Sequence, residues 1–440
     1  MTTKAGYEDT VSIIGTDMHH MISELYPICR SITGNGTRET LRFIQKRIPL
    51  EIHEVPTGAK VFDWVVPNEW NIKEAYIKDA SGRRIVDFAD SNLHVVGYSV
   101  PFKAKLSFDE LKKHLFTLPE HPQWIPYRTS YYKENWGFCL SHERFSAMTN
   151  GEYEICIDSS LREGHLSYGE CLIPGETSDE VLLSCHICHP SLCNDNLSGI
   201  SLAVSVAERL RQKPRRYSYR LLFIPGTIGS ITWLALNEAR VSVIKHGLVI
   251  AGVGDRGGFT YKRTRRGNAD VDKVFEYVLA NCADSRIIDF IPYGYDERQF
   301  CSPGFDLPVG CIMRTPFGEY PEYHTSADNL DFVTPHALTD SFEKCIAALD
   351  ILDNNAVYLN QNPKCEPQLG KRGLYQSVGG QSHTRFDEMV IFWILNLSDG
   401  AHSLLDIAKK SGYQFSIIKE TADLLSEKGL LERATPPQTP

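Results

Sequence analysis

The chain has 440 residues, enough for two or three domains around a large core. Its 42 % hydrophobic and 23 % charged residues are the balance of a globular protein, not of a disordered or membrane-embedded one. A net charge of −9 argues against nucleic acid or an anionic membrane as the main partner.

The first residues, Met1 to Ile22, hold no basic segment followed by an apolar block. No apolar run reaches the roughly 18–20 residues of a membrane helix. Twelve cysteines are scattered without a disulfide-like spacing. They are expected as reduced thiols in a cytoplasm.

Residues 9 to 48 are predicted helical, broken at the loop Cys29-Arg30-Ser31-Ile32-Thr33-Gly34-Asn35-Gly36. Thr37 to Ile48 carries Leu41, Ile44 and Ile48 on one side, with Pro49 just past its end. From about Val61 to Asn150 the texture changes to short alternating pieces, many aromatics, and prolines at 67, 101, 119, 122 and 126. That pattern predicts a small mixed-β module inserted in the main domain. From Glu152 onward strands and helices alternate. Strands are expected at Val181–Ser184, Arg220–Ile224, His246–Val253 and Val309–Met313. Helices are expected at Leu197–Leu210, Ile228–Ala239, Val271–Asn281 and Leu338–Leu352. Such alternation predicts a largely parallel sheet with helices on both faces. After the stretch Pro363–Gly380 come helical patterns at Arg385–Asn396, Leu404–Lys410 and Phe415–Lys428, with a turn at Asp399-Gly400 and a short β tail from Gly429 to Glu432. This is a winged-helix-like module. Its presumed recognition helix sets Lys419 and Lys428 against Glu420, Asp423 and Glu427, whereas a DNA reader needs a basic face. A scaffold or oligomer element is the better reading.

The most informative stretch is Val181 to Ile200, VLLSCHICHPSLCNDNLSGI. An apolar run delivers Cys185, His186, Cys188 and His189 into a loop, and Asn194-Asp195-Asn196 then leads into a helix. Open α/β sheets place their sites at such strand ends. Three readings compete. Asp195, Asn196 and Ser198 would each cap the next helix. Cys185 to His189 satisfies C-x-x-C-H, a haem attachment that needs export. The third is a hydrolytic metal site with His186 and Asp195 as ligands, since imidazole plus carboxylate is ordinary zinc chemistry. It is preferred because partners appear downstream. His324 also follows a strand, and Asp328, four residues on, could orient its ring. Asp255 follows the strand ending at Val253 and reads equally well as a turn aspartate. Asp296-Glu297-Arg298 is a further charged loop.

The order His186, Asp195-Asn196-x-Ser198-Gly199, Gly229-Ser230, Asp255, Tyr323-His324-Thr325 and Asp328 resembles that of zinc-dependent aminopeptidases. The whole chain resembles a bacterial family of aminopeptidase-like proteins with an inserted small domain and a C-terminal winged helix. The resemblance rests on Cys29-Arg30-Ser31-Ile32-Thr33-Gly34, Ser91-Asn92-Leu93-His94, His186-Ile187-Cys188-His189-Pro190, Asn194-Asp195-Asn196-Leu197-Ser198-Gly199 and Asp296-Glu297-Arg298-Gln299-Phe300. It implies a three-layer α/β zinc aminopeptidase-like domain from 1–60 and 151–365, an insert at 61–150, and a winged-helix domain at 366–440. It further implies one or two zinc ions, with His186, Asp195 and His324 as ligands and Asp255 as a ligand for a second ion. The forked guanidiniums of Arg30 and Arg298 suit a carboxylate on an acidic acyl or peptide substrate, and each reads equally well as a surface arginine on a loop; Tyr323 is a further candidate for binding a small-molecule or peptide-like amide. Some members of the family sit in polysaccharide or natural-product biosynthesis. No nucleic acid or membrane is expected as partner, and homo-oligomerisation stays open.

One position departs from the family. Where it reads Pro-Glu-Thr-Ile-Gly-Ser, this chain has Pro225-Gly226-Thr227-Ile228-Gly229-Ser230. Glycine cannot accept a proton, and zinc hydrolases need a general base. A deliberate inactivating substitution, a natural pseudoenzyme, or another acid such as Glu297 or Glu322 would each account for it; the first is preferred. The expected function is metal-dependent hydrolysis of an amide, by an aminopeptidase or N-deacylase. The rivals are a non-catalytic binding protein on the same fold and, on the C-terminal module alone, a DNA-binding regulator.

Overall fold

Four apolar runs become the parallel centre of an eight-stranded sheet. In the computed structural model, which describes residues 4–374 and 388–434, the sheet order is 51–56, 165–173, 218–224, 180–186, 244–250, 309–313, 260–262, 286–288. The strands Ser218–Ile224, Glu180–His186, Ile244–Ile250 and Val309–Met313 are mutually parallel. Strands buried along their whole length read as continuous apolar runs, which is why these four were visible in the sequence. The flanks differ from the expected parallel arrangement. His165–Ile173 runs antiparallel to both neighbours, and Thr260–Lys262 antiparallel to Val309–Met313. The sheet is therefore mixed.

The insert is built on a four-stranded antiparallel sheet, in the order Arg84–Asp87, Glu69–Lys78, Glu152–Arg162, Phe102–Ser107. The strand Glu152–Arg162, expected to open the alternating region, belongs to this sheet, so its pairing extends past residue 150. A separate apolar core of Ala75, Ile77, Val86, Phe138, Leu140, Ile155 and Ile157 fills it.

A second compact unit comprises Val274–Ala280 and Ala347–Pro440. It holds helices Glu388–Leu397, Leu404–Ser411 and Phe415–Glu427 and a three-stranded antiparallel sheet of Val357–Asn360, Asp399–Ser403 and Leu431–Arg433. The strand 357–360 was not anticipated. Asp399-Gly400, expected as a turn, opens a strand instead, with Gly400 at φ +85°. Ser403 and Asp406 form a reciprocal cap on the middle helix. The expected helix start at Arg385 lies outside the described residues. No helix among the described residues is long and apolar enough to cross a membrane.

The central sheet buries an ionic group around Arg220. Arg220, 1 % exposed, donates through Nε and Nη2 to Glu180 at 2.6 Å each and through Nη1 to Glu170, whose other oxygen accepts from Trp233 Nε1 at 2.9 Å. Breaking a buried pair from one side strands a charge. Arg220→Met is expected to cost about 3–5 kcal/mol in urea denaturation, and the double variant Arg220→Met/Glu180→Met to recover part of that loss.

Candidate metal and ligand site

The site forms where the parallel strands end. His186 is the last residue of its strand, and the loop that follows turns back over it. Asn194, Asn196 and Ser198 stitch that loop to the end of the neighbouring strand. Asn194 Oδ1 accepts from the Gly254 and Asp255 amides at 2.9 and 3.2 Å. Asn196 Nδ2 donates to the Ile250 carbonyl at 3.0 Å, and its Oδ1 accepts from the Gly252 amide at 3.1 Å. Ser198 Oγ donates to the Asn194 carbonyl at 2.7 Å and accepts from the Val253 amide at 3.0 Å. These side chains thus join two strand ends and do not cap the following helix, which has no side-chain cap.

Asp195, fully buried, sits at the centre. Its Oδ1 lies 2.7 Å from His186 Nε2, and its Oδ2 lies 3.1 Å from His324 Nε2 and 3.7 Å from His189 Nε2. His186, His189 and Asp195 each present a ligand atom within 4.8 Å of the others. Burial alone would raise the Asp195 carboxyl, but the facing His189 and His186 hold it well below the usual carboxylate range. Burial drives His189 down to about 3 against the pull of Asp195, which favours the neutral, ligating form. Aromatic rings fix the imidazoles. Tyr295 stacks on His186 at 5.0 Å and Tyr323 on His324 at 3.9 Å.

Sequence reasoning had passed over His189 as a ligand and had no signal for Tyr127. The insert delivers Tyr127 to the site. Pro126 bridges to Thr325, the Tyr127 amide donates to the His324 carbonyl at 2.8 Å, and the Tyr127 ring lies 5.3 Å from His189 and 5.1 Å from His324.

Other expected residues are placed differently. Asp328 does not touch the His324 ring. It accepts from the Asn194 and Asp195 amides at 2.5 and 2.9 Å and so holds the central loop. Burial pushes its carboxyl up to about 8 against those bonds. Asp255 is engaged by other donors. Its oxygens accept from Asn194 Nδ2, the Gly257 amide, and the Thr315 amide and hydroxyl. Arg30 is 1 % exposed and no part of a binding surface. Its Nε donates to the His189 carbonyl at 2.9 Å and its Nη1 to the Leu25 carbonyl at 2.6 Å, which positions His189. Glu297 is buried against Lys262 at 2.7 Å, turned from the site. Glu322 does not line the cavity beside His186.

That cavity, about 170 Å³, is lined by His186, His189, Gly226, Thr227, Tyr293, Gly294, Tyr295, Asp296, Arg298, Phe317 and Tyr323. Gly226, Arg298 and Tyr323 all line it. The acid that reaches it is Asp296, not Glu297. Burial raises the Asp296 carboxyl to about 6, opposed by the Ser230 hydroxyl, which donates to Oδ1 at 2.6 Å. A side chain at 226 would start 3.1 Å from His186 Cβ and 3.3 Å from Asp296 Oδ2.

The placement of Asp328 has a measurable consequence. Each buried amide left without an acceptor costs about 1–3 kcal/mol. Asp328→Ala is expected to destabilise by at least that amount in urea denaturation. Asp328→Asn should lose less, because its carbonyl still accepts one of the two bonds.

A protein of Clostridium acetobutylicum described as a polysaccharide biosynthesis protein with aminopeptidase-like domain is 52 % identical over 427 residues, 97 % of this chain and 98 % of that protein. The crystal structure of a peptidase from Clostridium acetobutylicum superposes with a TM-score of 0.92 at 50 % identity, covering 98 % of this chain and 99 % of that one. A zinc aminopeptidase from Bacillus subtilis shares the fold at a TM-score of 0.57 and 11 % identity, over 77 % of this chain and 94 % of its own. Residues 356–433 match a winged helix-turn-helix family. Residues 19–355 match the family described as "Domain of unknown function (DUF4910)", and the chain is a member of that family, with an aminopeptidase-like fold and a winged helix after it.

Proposed function

We propose that the chain is a metal-dependent amide hydrolase, an aminopeptidase or N-deacylase acting on a small-molecule or peptide-like amide. The convergence of His186, His189 and Asp195 beside a ligand-sized cavity carries the reading. The donor set fits zinc. Ligands at 2.0–2.1 Å around a tetrahedral ion stand about 3.3 Å apart, and the separations about Asp195 are 2.7, 3.1 and 3.7 Å. His186, His189 and Asp195 would hold the ion, while His324, 3.1 Å from Asp195 Oδ2, stands outside that converging group. Asp255 is left to position Asn194, since donors already occupy its oxygens. A zinc ion bound there would supply Lewis acidity toward an amide carbonyl. The protein's part is to fix the imidazoles by aromatic stacking, to hold the Asp195 loop through Asp328, and to shelter the amide among Tyr293, Tyr295, Phe317 and Tyr323.

Fold and cluster support this reading, as do the names of the relatives. The name of the Clostridium acetobutylicum relative supports a tailoring step in polysaccharide assembly. A cysteine-rich chain without disulfide spacing supports a cytoplasmic setting. Against a DNA-binding role, Lys419 on the last helix is tied to Asp423 at 2.6 Å, beside Glu420 and Glu427. Nor does the reading include a membrane partner.

Gly226 favours a second reading, a non-catalytic ligand-binding protein on the same fold, because no side chain at that position can take a proton. Two measurements separate the two. Elemental analysis of protein purified without added metal is expected to find at least one zinc per chain, and Asp195→Ala and His189→Ala to lose most of it. Metal-free protein in all three forms would refute the site. Gly226→Glu is expected to raise hydrolysis of a panel of aminoacyl and N-acyl amides by roughly a hundred- to ten-thousand-fold, the usual worth of general acid–base catalysis. Equal rates would place the proton acceptor elsewhere, and silence in both forms would favour the binding protein.

A further inference from the structure

The cavity beside His186 holds a carboxylate oxygen that nothing in the protein satisfies. Asp296 is 1 % exposed. Its Oδ1 is engaged by Ser230, whereas its Oδ2 has no hydrogen-bond partner and faces the space a side chain at 226 would enter. Buried carboxylates are normally paired. Asp296 is not among the groups that converge to hold a metal. Arg298 lines the same cavity, yet among the described residues it makes no ion pair with Asp296, and its Nε is also without a partner. That oxygen is open to a donor from a molecule in the cavity.

The rest of the cavity states what kind. Tyr293, Tyr295, Phe317 and Tyr323 give it aromatic walls, and at about 170 Å³ it is the size for one amino-acid side chain, since a cavity of roughly 150 Å³ holds benzene. An ammonium group is the donor that best matches a carboxylate in a water-poor pocket, because both charge and hydrogen bonding then favour the contact. An acylated amine offers a single neutral N–H and needs room for the acyl group.

We propose that Asp296 anchors the ammonium group of the ligand, so that the site selects an amide bearing a free primary amine next to an aromatic or apolar side chain over its N-acylated counterpart. The proposal takes the ligand to be an amide from the reading above, and it chooses between the two hydrolase types left open there. Asp296 is thereby a specificity-determining residue, while Gly226 leaves the room for the amine to approach it.

The test is isothermal titration calorimetry on the full chain as purified, with L-phenylalaninamide, N-acetyl-L-phenylalaninamide and 3-phenylpropanamide. Phenylalaninamide is expected to bind at least about tenfold more tightly than the other two, the worth of one charge-assisted hydrogen bond. Asp296→Asn, which keeps a partner for Ser230, should erase that preference and leave the two amine-free probes unchanged. Should this variant not fold, the ranking of the three probes on the unaltered chain decides alone. Equal affinity for the three probes, an undiminished preference in Asp296→Asn, or no heat with any of them at millimolar concentration overturns the proposal. Zinc measured on the same samples keeps the questions apart. Amine-selective binding without zinc upholds Asp296 and defeats the hydrolase, and zinc without amine selectivity does the reverse.

Discussion

A fully buried carboxylate facing three imidazoles organises this molecule. Asp195 cannot stay ionised in the interior unless positive charge or hydrogen-bond donors surround it. The chain meets that demand from three separate regions: His186 at a strand end, His189 on the loop after it, and His324 more than a hundred residues later. The Asp195 main chain is fixed as firmly as its side chain. Its amide donates to Asp328, a residue away from the imidazoles that holds the loop in the shape they require. Here one acid positions another.

The same demand explains why so much polar chemistry lies under the surface. Arg30 spends its guanidinium on the carbonyls of His189 and Leu25, Asn194 and Asn196 join the loop to the next strand, and Asp255 in turn steadies Asn194. Each link is an ordinary hydrogen bond of modest net worth. Together they leave the loop few alternative shapes, and pre-ordering of this kind is what a metal or ligand site needs. The insert takes part as well. Its Tyr127 rests against His189 and His324, so a module with its own apolar core completes a wall of the site.

How far the sequence reveals this depends on what each feature reports. Fully buried strands announce themselves as apolar runs, and the order of chemistry-bearing residues at their ends identifies the loops that converge. Strand ends do not report where a side chain points. Glu297 and Asp296 are neighbours on one loop, yet one is turned to Lys262 and the other into the cavity. Asp328 sits four residues from His324 but bonds to a different loop. Arg30 has the charge of a substrate binder and the burial of a core residue. His189 was legible only as the second imidazole of Cys-His-Ile-Cys-His, and nothing in that spacing says the chain folds back beyond Pro190. The antiparallel strand beside the parallel centre is hidden for a related reason. His165–Ile173 alternates polar and apolar residues too irregularly to declare its sheet, and pairing rather than composition assigns it.

Gly226 sets the remaining tension. A glutamate there would begin within van der Waals distance of His186 and of the Asp296 carboxylate, and two acids so close in a buried pocket resist ionising together. Glycine removes that conflict. It leaves a single acid facing the cavity and opens the volume beside it, at the expense of a proton acceptor next to the imidazoles. On the proposed reading, recognition would rest on Asp296 and turnover on what, if anything, replaces the missing side chain. A chain with glycine at this point can therefore keep an intact ligand site whether or not it keeps the chemistry.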